Sequence, residues 1–260
     1  WNTGIMVRPS VIIGLPFDDY DAVIETFDFL GMAGIGQDAE PKPLSLAPGS
    51  AMRLQPASYG IKDFVDRPPY YVLETEWMTE DDFVDAMADF EENFDVAWTP
   101  PVAPVFKRER GGFIAFADLR DPAGLDRLLI DADKLASSVT LLIDADNPEL
   151  QKRIARSATG LRKENPYTLW QIVLVSSVSI PSPGSVARLT DAFSMPDHYF
   201  GAARMFSVDP QPDYQTRTFF ATTSEALALA ALRERQDLET VFVLGQELPG
   251  QRLLDRKSVV

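Results

Sequence analysis

VIIGLPFDDYDAVIETFDFL, residues 11–30, decides how the chain is read. An apolar run stops at Gly14-Leu15-Pro16, two acids follow, and apolar residues then recur at helical spacing. Residues 5–14 predict a buried strand, and Pro9 confines its ladder to Ser10–Gly14 because proline has no N–H to donate. Asp18 or Asp19 caps the helix that follows, with Val23, Ile24, Phe27 and Leu30 on one face. Gly31 and Gly34 end it.

The bulk composition narrows the function classes. A chain of 260 residues makes one large domain or two smaller ones, and 45% hydrophobic residues suffice for a sizeable core. Thirty-nine acids against 24 bases leave a net charge of −15, which repels phosphate backbones and argues against nucleic-acid binding. No apolar run reaches the ~18 residues of a membrane span. The opening WNTGIMVRPS lacks a charged segment followed by an apolar one, so no signal peptide is visible. A soluble, cytoplasmic protein without membrane contact is expected.

There is no cysteine and a single histidine, His198. This removes disulfides, thiolate nucleophiles, zinc–thiolate sites and protein-ligated iron–sulfur clusters from the chain. Paired-histidine metal sites go with them. His198, beside Asp197, has the makings of a general base, but a lone histidine is more often a loop or packing residue, and that is the reading taken here.

Along the chain, a short strand is expected within residues 35–47, a short helix at 50–58, and loop around Pro68-Pro69 in residues 60–72. Thr79 opens the clearest helix, with Asp82 at the reciprocal capping position and Phe83, Met87, Phe90 and Phe94 at helical spacing. Seven acids fall within residues 80–92; a solvated helix face explains them, since the glycine-bent calcium loop is missing. Residues 99–112, with three prolines, a basic cluster at 107–110 and two glycines, are expected as a linker. Beyond it, strands at 113–119, 138–144, 169–176, 203–208, 217–223 and 240–245 alternate with helices at 122–131, 147–163, 184–194 and 224–236. Such alternation predicts a mostly parallel or mixed sheet covered by helices. Ser176, Ser177 and Ser179 follow a strand at the end where α/β sites gather, without a glycine elbow. Asn165-Pro166-Tyr167 and Trp170-Gln171 read equally as a substrate-facing edge or as a turn and half-buried strand.

The first hundred residues carry a series of motifs in order. These are Ile12-Ile13-Gly14-Leu15-Pro16, then Pro43-Leu44, Pro48-Gly49-Ser50 and Arg53, then Tyr59-Gly60-Ile61, and finally Pro68-Pro69-Tyr70-Tyr71-Val72-Leu73-Glu74-Thr75. The series resembles the back half of a radical S-adenosylmethionine barrel of the cobalamin-binding subgroup. Phe17-Asp18-Asp19 departs from that family, which has glycine and then an acid there. The resemblance implies the back half of a partial TIM-type barrel over 1–98, a linker at 99–112, and a C-terminal α/β domain over 113–260. It implies that Ile13, Gly14, Leu15 and Pro16, with Pro43 and Leu44 on the next strand, line the adenine side of S-adenosylmethionine. The [4Fe–4S] cluster and the cobalamin of such an enzyme, whether oxidoreductase or methyltransferase, are not ligated by this chain. On this reading they belong to a missing N-terminal region or a partner subunit, and the substrate is a small molecule. The competing expectation is a non-catalytic α/β ligand-binding or protein-interaction module.

Without thiolates, the purified chain should stay colourless after anaerobic reconstitution with iron and sulfide. Stoichiometric iron and sulfide bound to it would overturn the expectation.

Overall fold

The computed structural model describes residues 8–95, 104–194, 216–235, 237–238, 241–244 and 251–254. They group into two compact units, one holding the described residues up to 95 and the other those from 104 onward. The strand expected at 203–208 and His198 lie outside the described residues.

The first unit begins with β1 (Ser10–Ile13), α1 (Tyr20–Met32) and β2 (Glu40–Pro43). The two strands pair in parallel, Ile13 beside Pro43, and α1 is their crossover. Asp19 rather than Asp18 is the cap, accepting from Ala22 N at 2.9 Å. A short α2 (Ala51–Leu54) and a 3-10 turn over Pro56–Tyr59 stand where one short helix is expected. The loop reading of 60–72 is corrected at both ends: β3 (Ile61–Phe64) pairs antiparallel with β4 (Val72–Thr75). The proline pair that suggests loop lies in the connection between these strands.

Helix α3 (Glu80–Phe94) starts at the capping box, Thr79 and Asp82 each accepting from the other's backbone N–H. It buries Phe83, Met87, Phe90 and Phe94 on one side, each side chain contributing about 1.5–3 kcal/mol by leaving water. Phe90 meets Phe27 of α1 edge-on, ring centres 5.1 Å apart. Glu91 is the exception to a solvated acidic face, being almost fully buried.

The second unit is a seven-stranded sheet in strictly sequential order. Its strands are β5 (Glu109–Arg110), β6 (Phe113–Asp118), β7 (Leu135–Asp144), β8 (Leu169–Val175), β9 (Thr216–Thr222), β10 (Val241–Leu244) and β11 (Gln251–Leu254). β6 to β10 are parallel; β5 and β11 add antiparallel edges. Gly111-Gly112, at the end of the stretch expected as linker, is the turn of the β5–β6 hairpin.

Helices α4 (Pro122–Ile130), α5 (Pro148–Glu164), α6 (Pro183–Phe193) and α7 (Glu225–Glu234) alternate with the parallel strands. Neighbour-to-neighbour order with right-handed crossovers puts the four described helices on one face. The burial follows. Val139, Leu141 and Ile143 of β7, Trp170, Ile172 and Leu174 of β8 and Phe220 of β9 share one core with residues of all four helices. The alternate residues Leu142, Val173, Phe219 and Ala221 form a separate cluster on the opposite face, with Phe106 and Phe116. The chain is therefore α/β with a mostly parallel sheet, and no barrel closes among the described residues.

At the start of α1, Tyr20 donates its hydroxyl to Asp89 of α3. That bond, then burial and the charges of Asp89, Asp85 and Asp21, push the Tyr20 phenol up to about 12. A pKa raised on folding means that the contact stabilises fully below the unfolded value, about 10, and is lost as pH rises through the folded one. Tyr20→Phe should therefore lower the melting temperature near neutral pH and converge with the parent above pH ~12. A difference that stays constant across the alkaline range would rule out Tyr20 as the linkage.

Candidate functional site

Two sets of parallel-strand carboxyl ends offer sites, one in each unit, because ligands of α/β sheets gather there. In the first unit, β1 and β2 bring Ile13, Gly14, Pro43 and Leu44 together. Leu44 N–H donates to Ile13 O at 2.9 Å and Leu44 O accepts from Val72 N at 2.8 Å. All four are buried, while Leu15 and Pro16 are half-buried. Gly14 has φ 87°, in the left-handed region. A Cβ on it would meet the edge of the Phe83 ring of α3 at 2.4 and 2.5 Å, too close for any real contact, so packing itself calls for the glycine.

Leu15 to Asp18 form a tight turn, Asp18 N donating to Leu15 O at 3.0 Å, with Pro16 second and Phe17 third at φ 73°. A third position with positive φ defines a type II turn and normally belongs to glycine. Burial, then the charge of Asp19, raises the pKa of Asp18 beside it.

The later motifs converge through Arg53, which sequence reasoning singles out without a role. Its guanidinium donates to Leu46 O at 2.9 Å and to Asp66 O at 3.0 Å, and lies over the rings of Phe64 and Tyr70 at 5.1 and 5.0 Å. Ser50 caps α2, accepting from Arg53 N at 3.3 Å. Leu46 N donates to Tyr70 O at 2.8 Å, and Ser45 bridges Tyr71. Pieces up to thirty residues apart thus form one framework behind the β1–β2 ends.

In the second unit the strand ends are polar, but their groups are mostly spent on one another. Asp118 and Arg120 pair in a bidentate contact, with separations down to 2.6 Å. Burial raises the Asp118 pKa, but the hydrogen bonds and charge of Arg120 outweigh it and the net shift is downward. Ser176 donates to Asp146 at 2.8 Å and accepts from the N–H groups of Val178 and Ser179. Ser177 and Thr223 share a hydrogen bond at 3.1 Å. Gln151 donates to the carbonyls of Asp144 and Ala145, tying α5 to the end of β7. Ser176, at 2% exposure, is thus a loop anchor and not an accessible nucleophile. Trp170 is core, and Gln171 is buried against Thr140 at 2.9 Å, so neither offers a substrate-facing edge. Sequential strand order also lacks the reversal that opens a ligand crevice in doubly wound sheets.

Among the described residues, no three His, Asp or Glu side chains come together to hold a metal ion. No family model, curated protein or solved structure matches the chain.

Gly14→Ala presses a methyl against the edge of the Phe83 ring on a left-handed backbone, and should cost roughly 2–4 kcal/mol of stability. Phe83→Leu in the same background should recover part of that loss in chemical denaturation. Equal melting of Gly14→Ala and parent would remove packing as the reason for the glycine.

Proposed function

We infer that the first unit supplies the adenine-side wall of an S-adenosylmethionine site in a radical enzyme of the cobalamin-binding type. The observation that carries this is the parallel β1–β2 pair. It sets Ile13 beside Pro43-Leu44, two of the stretches that the resemblance assigns to the wall, with Gly14-Leu15-Pro16 following directly on β1. Phe83 fills the volume of the missing Gly14 side chain. The wall is therefore made of strand-end backbone with half-buried Leu15 and Pro16, not of a bare glycine face. The two parallel strands stand for part of a TIM-type barrel whose remaining strands come from another stretch of polypeptide or a partner subunit. That portion would also hold the cobalamin and the [4Fe–4S] cluster, which this chain, with no cysteine, has no thiolates to bind. The second unit then serves as a substrate or closure domain.

A photoreactive 8-azidoadenosyl analogue of S-adenosylmethionine should label peptides containing residues 13–16 and 42–44, and excess S-adenosylmethionine should suppress the labelling. Labelling confined to the second unit, or insensitive to competition, would reject this reading. The chain would then be a non-catalytic α/β ligand-binding or interaction module.

A further inference from the structure

The helix layer of the second unit spends its cations unevenly. Arg127 pairs with Asp121, Arg153 with Asp126 and Lys134 with Asp131, while Arg162 donates to Ser194 O. Arg156 of α5 and Arg188 of α6 are exposed, and among the described residues neither makes an ion pair or a side-chain hydrogen bond. Their guanidinium N–H donors are unspent, and arginine does not shed its charge.

Both arginines line one groove of about 480 Å³ between α5 and α6. Helical spacing builds it. Lys152 and Arg156 stand four residues apart on one flank, Arg188 and Asp191 three apart on the other, so each pair shares a helix face. The rest of the lining is Ala155 and Ala192. Alanine ends at Cβ, so at these positions neither helix fills the space between them. The volume falls within the ~300–1,000 Å³ of small-molecule sites. Three cations face one acid in the lining. Lys152 is held by Glu149 at 2.7 Å, and Asp191 pairs with neither arginine. The acidic balance of the chain resides elsewhere: residues 1–102 hold 19 of the 39 acids and 5 of the 24 bases, leaving 20 acids and 19 bases to residues 103–260. Guanidinium forks accept phosphate oxygens in pairs, and a neutral or cationic ligand has nothing to offer them.

We propose that the α5–α6 groove binds a small phosphorylated anion, with Arg156 and Arg188 as its two forks, Lys152 adding charge and Asp191 opposing it. The site lies in the helix layer and does not rest on the S-adenosylmethionine reading. The probe is inorganic pyrophosphate, titrated calorimetrically into the full chain at constant low ionic strength. It should bind saturably at one site. Arg156→Gln and Arg188→Gln should each weaken binding about three- to ten-fold, and Asp191→Asn should tighten it about two- to five-fold. All three side chains are exposed, so the unliganded variants should melt within about 2 °C of the parent. Arg233→Gln makes the same charge change on α7 and should leave the affinity unaltered. No saturable binding, affinity untouched by both groove arginine variants, or no tightening in Asp191→Asn would overturn the proposal. An equal loss in Arg233→Gln would do so too, reducing the effect to net charge. If one arginine variant fails to fold, the other and Asp191→Asn carry the same test.

Discussion

The first unit depends on one steric fact: the Phe83 ring sits where a side chain at residue 14 would be. That contact brings α3 against the end of β1, and the rest of the helix follows, with Phe90 and Phe94 reaching Phe27 of α1. The same contact makes the glycine structural. A glycine at the end of a strand suggests open backbone for a ligand, but here the vacancy has an occupant from a helix some seventy residues later. The neighbouring residues Leu15 and Pro16 keep partial access to solvent.

The second unit depends on a different constraint. Each parallel strand is laid beside its predecessor, and the fixed hand of the crossover sends the four described helices to the same face. Trp170, Ile172 and Leu174 therefore meet helices, while Gln171 and Val173 meet the opposite layer. The polar row on that layer is satisfied internally: Val105 N–H donates to Thr140, which donates to Gln171. The strand-end acids and serines spend their hydrogen bonds on loop geometry in the same way. These pairings lower the cost of burying polar side chains, while Gln151 Oε1, Arg162 Nε and Trp170 Nε1 are buried without a hydrogen-bond partner among the described residues.

Most elements were legible from local chemistry. The strand before Gly14, the Thr79–Asp82 box, the Asn147-Pro148 helix start and the alternation after residue 113 depend on periods and caps that act within a few residues. The β3–β4 hairpin was not, because Pro68-Pro69 suggests loop while the strands on either side are only four residues each. Of the candidate site, the residues at the β1–β2 ends were singled out by the family resemblance and not by local chemistry. Arg53 bridging Leu46 and Asp66 was not, since its partners are backbone carbonyls that carry no sequence signature.

The sequence by itself determined the class of the chain: α/β alternation, a strongly acidic balance, and no thiolate for any cluster. Composition and local period are properties of short stretches, so they survive without a fold. Only the tertiary structure decided that the vacancy at Gly14 is filled by Phe83, that Ser176 is a buried anchor, and that Phe17 stands exposed on Trp77. Each depends on which distant residue arrives at a given point. Long-range packing sets that arrival, and residue types along a single strand or turn do not encode it.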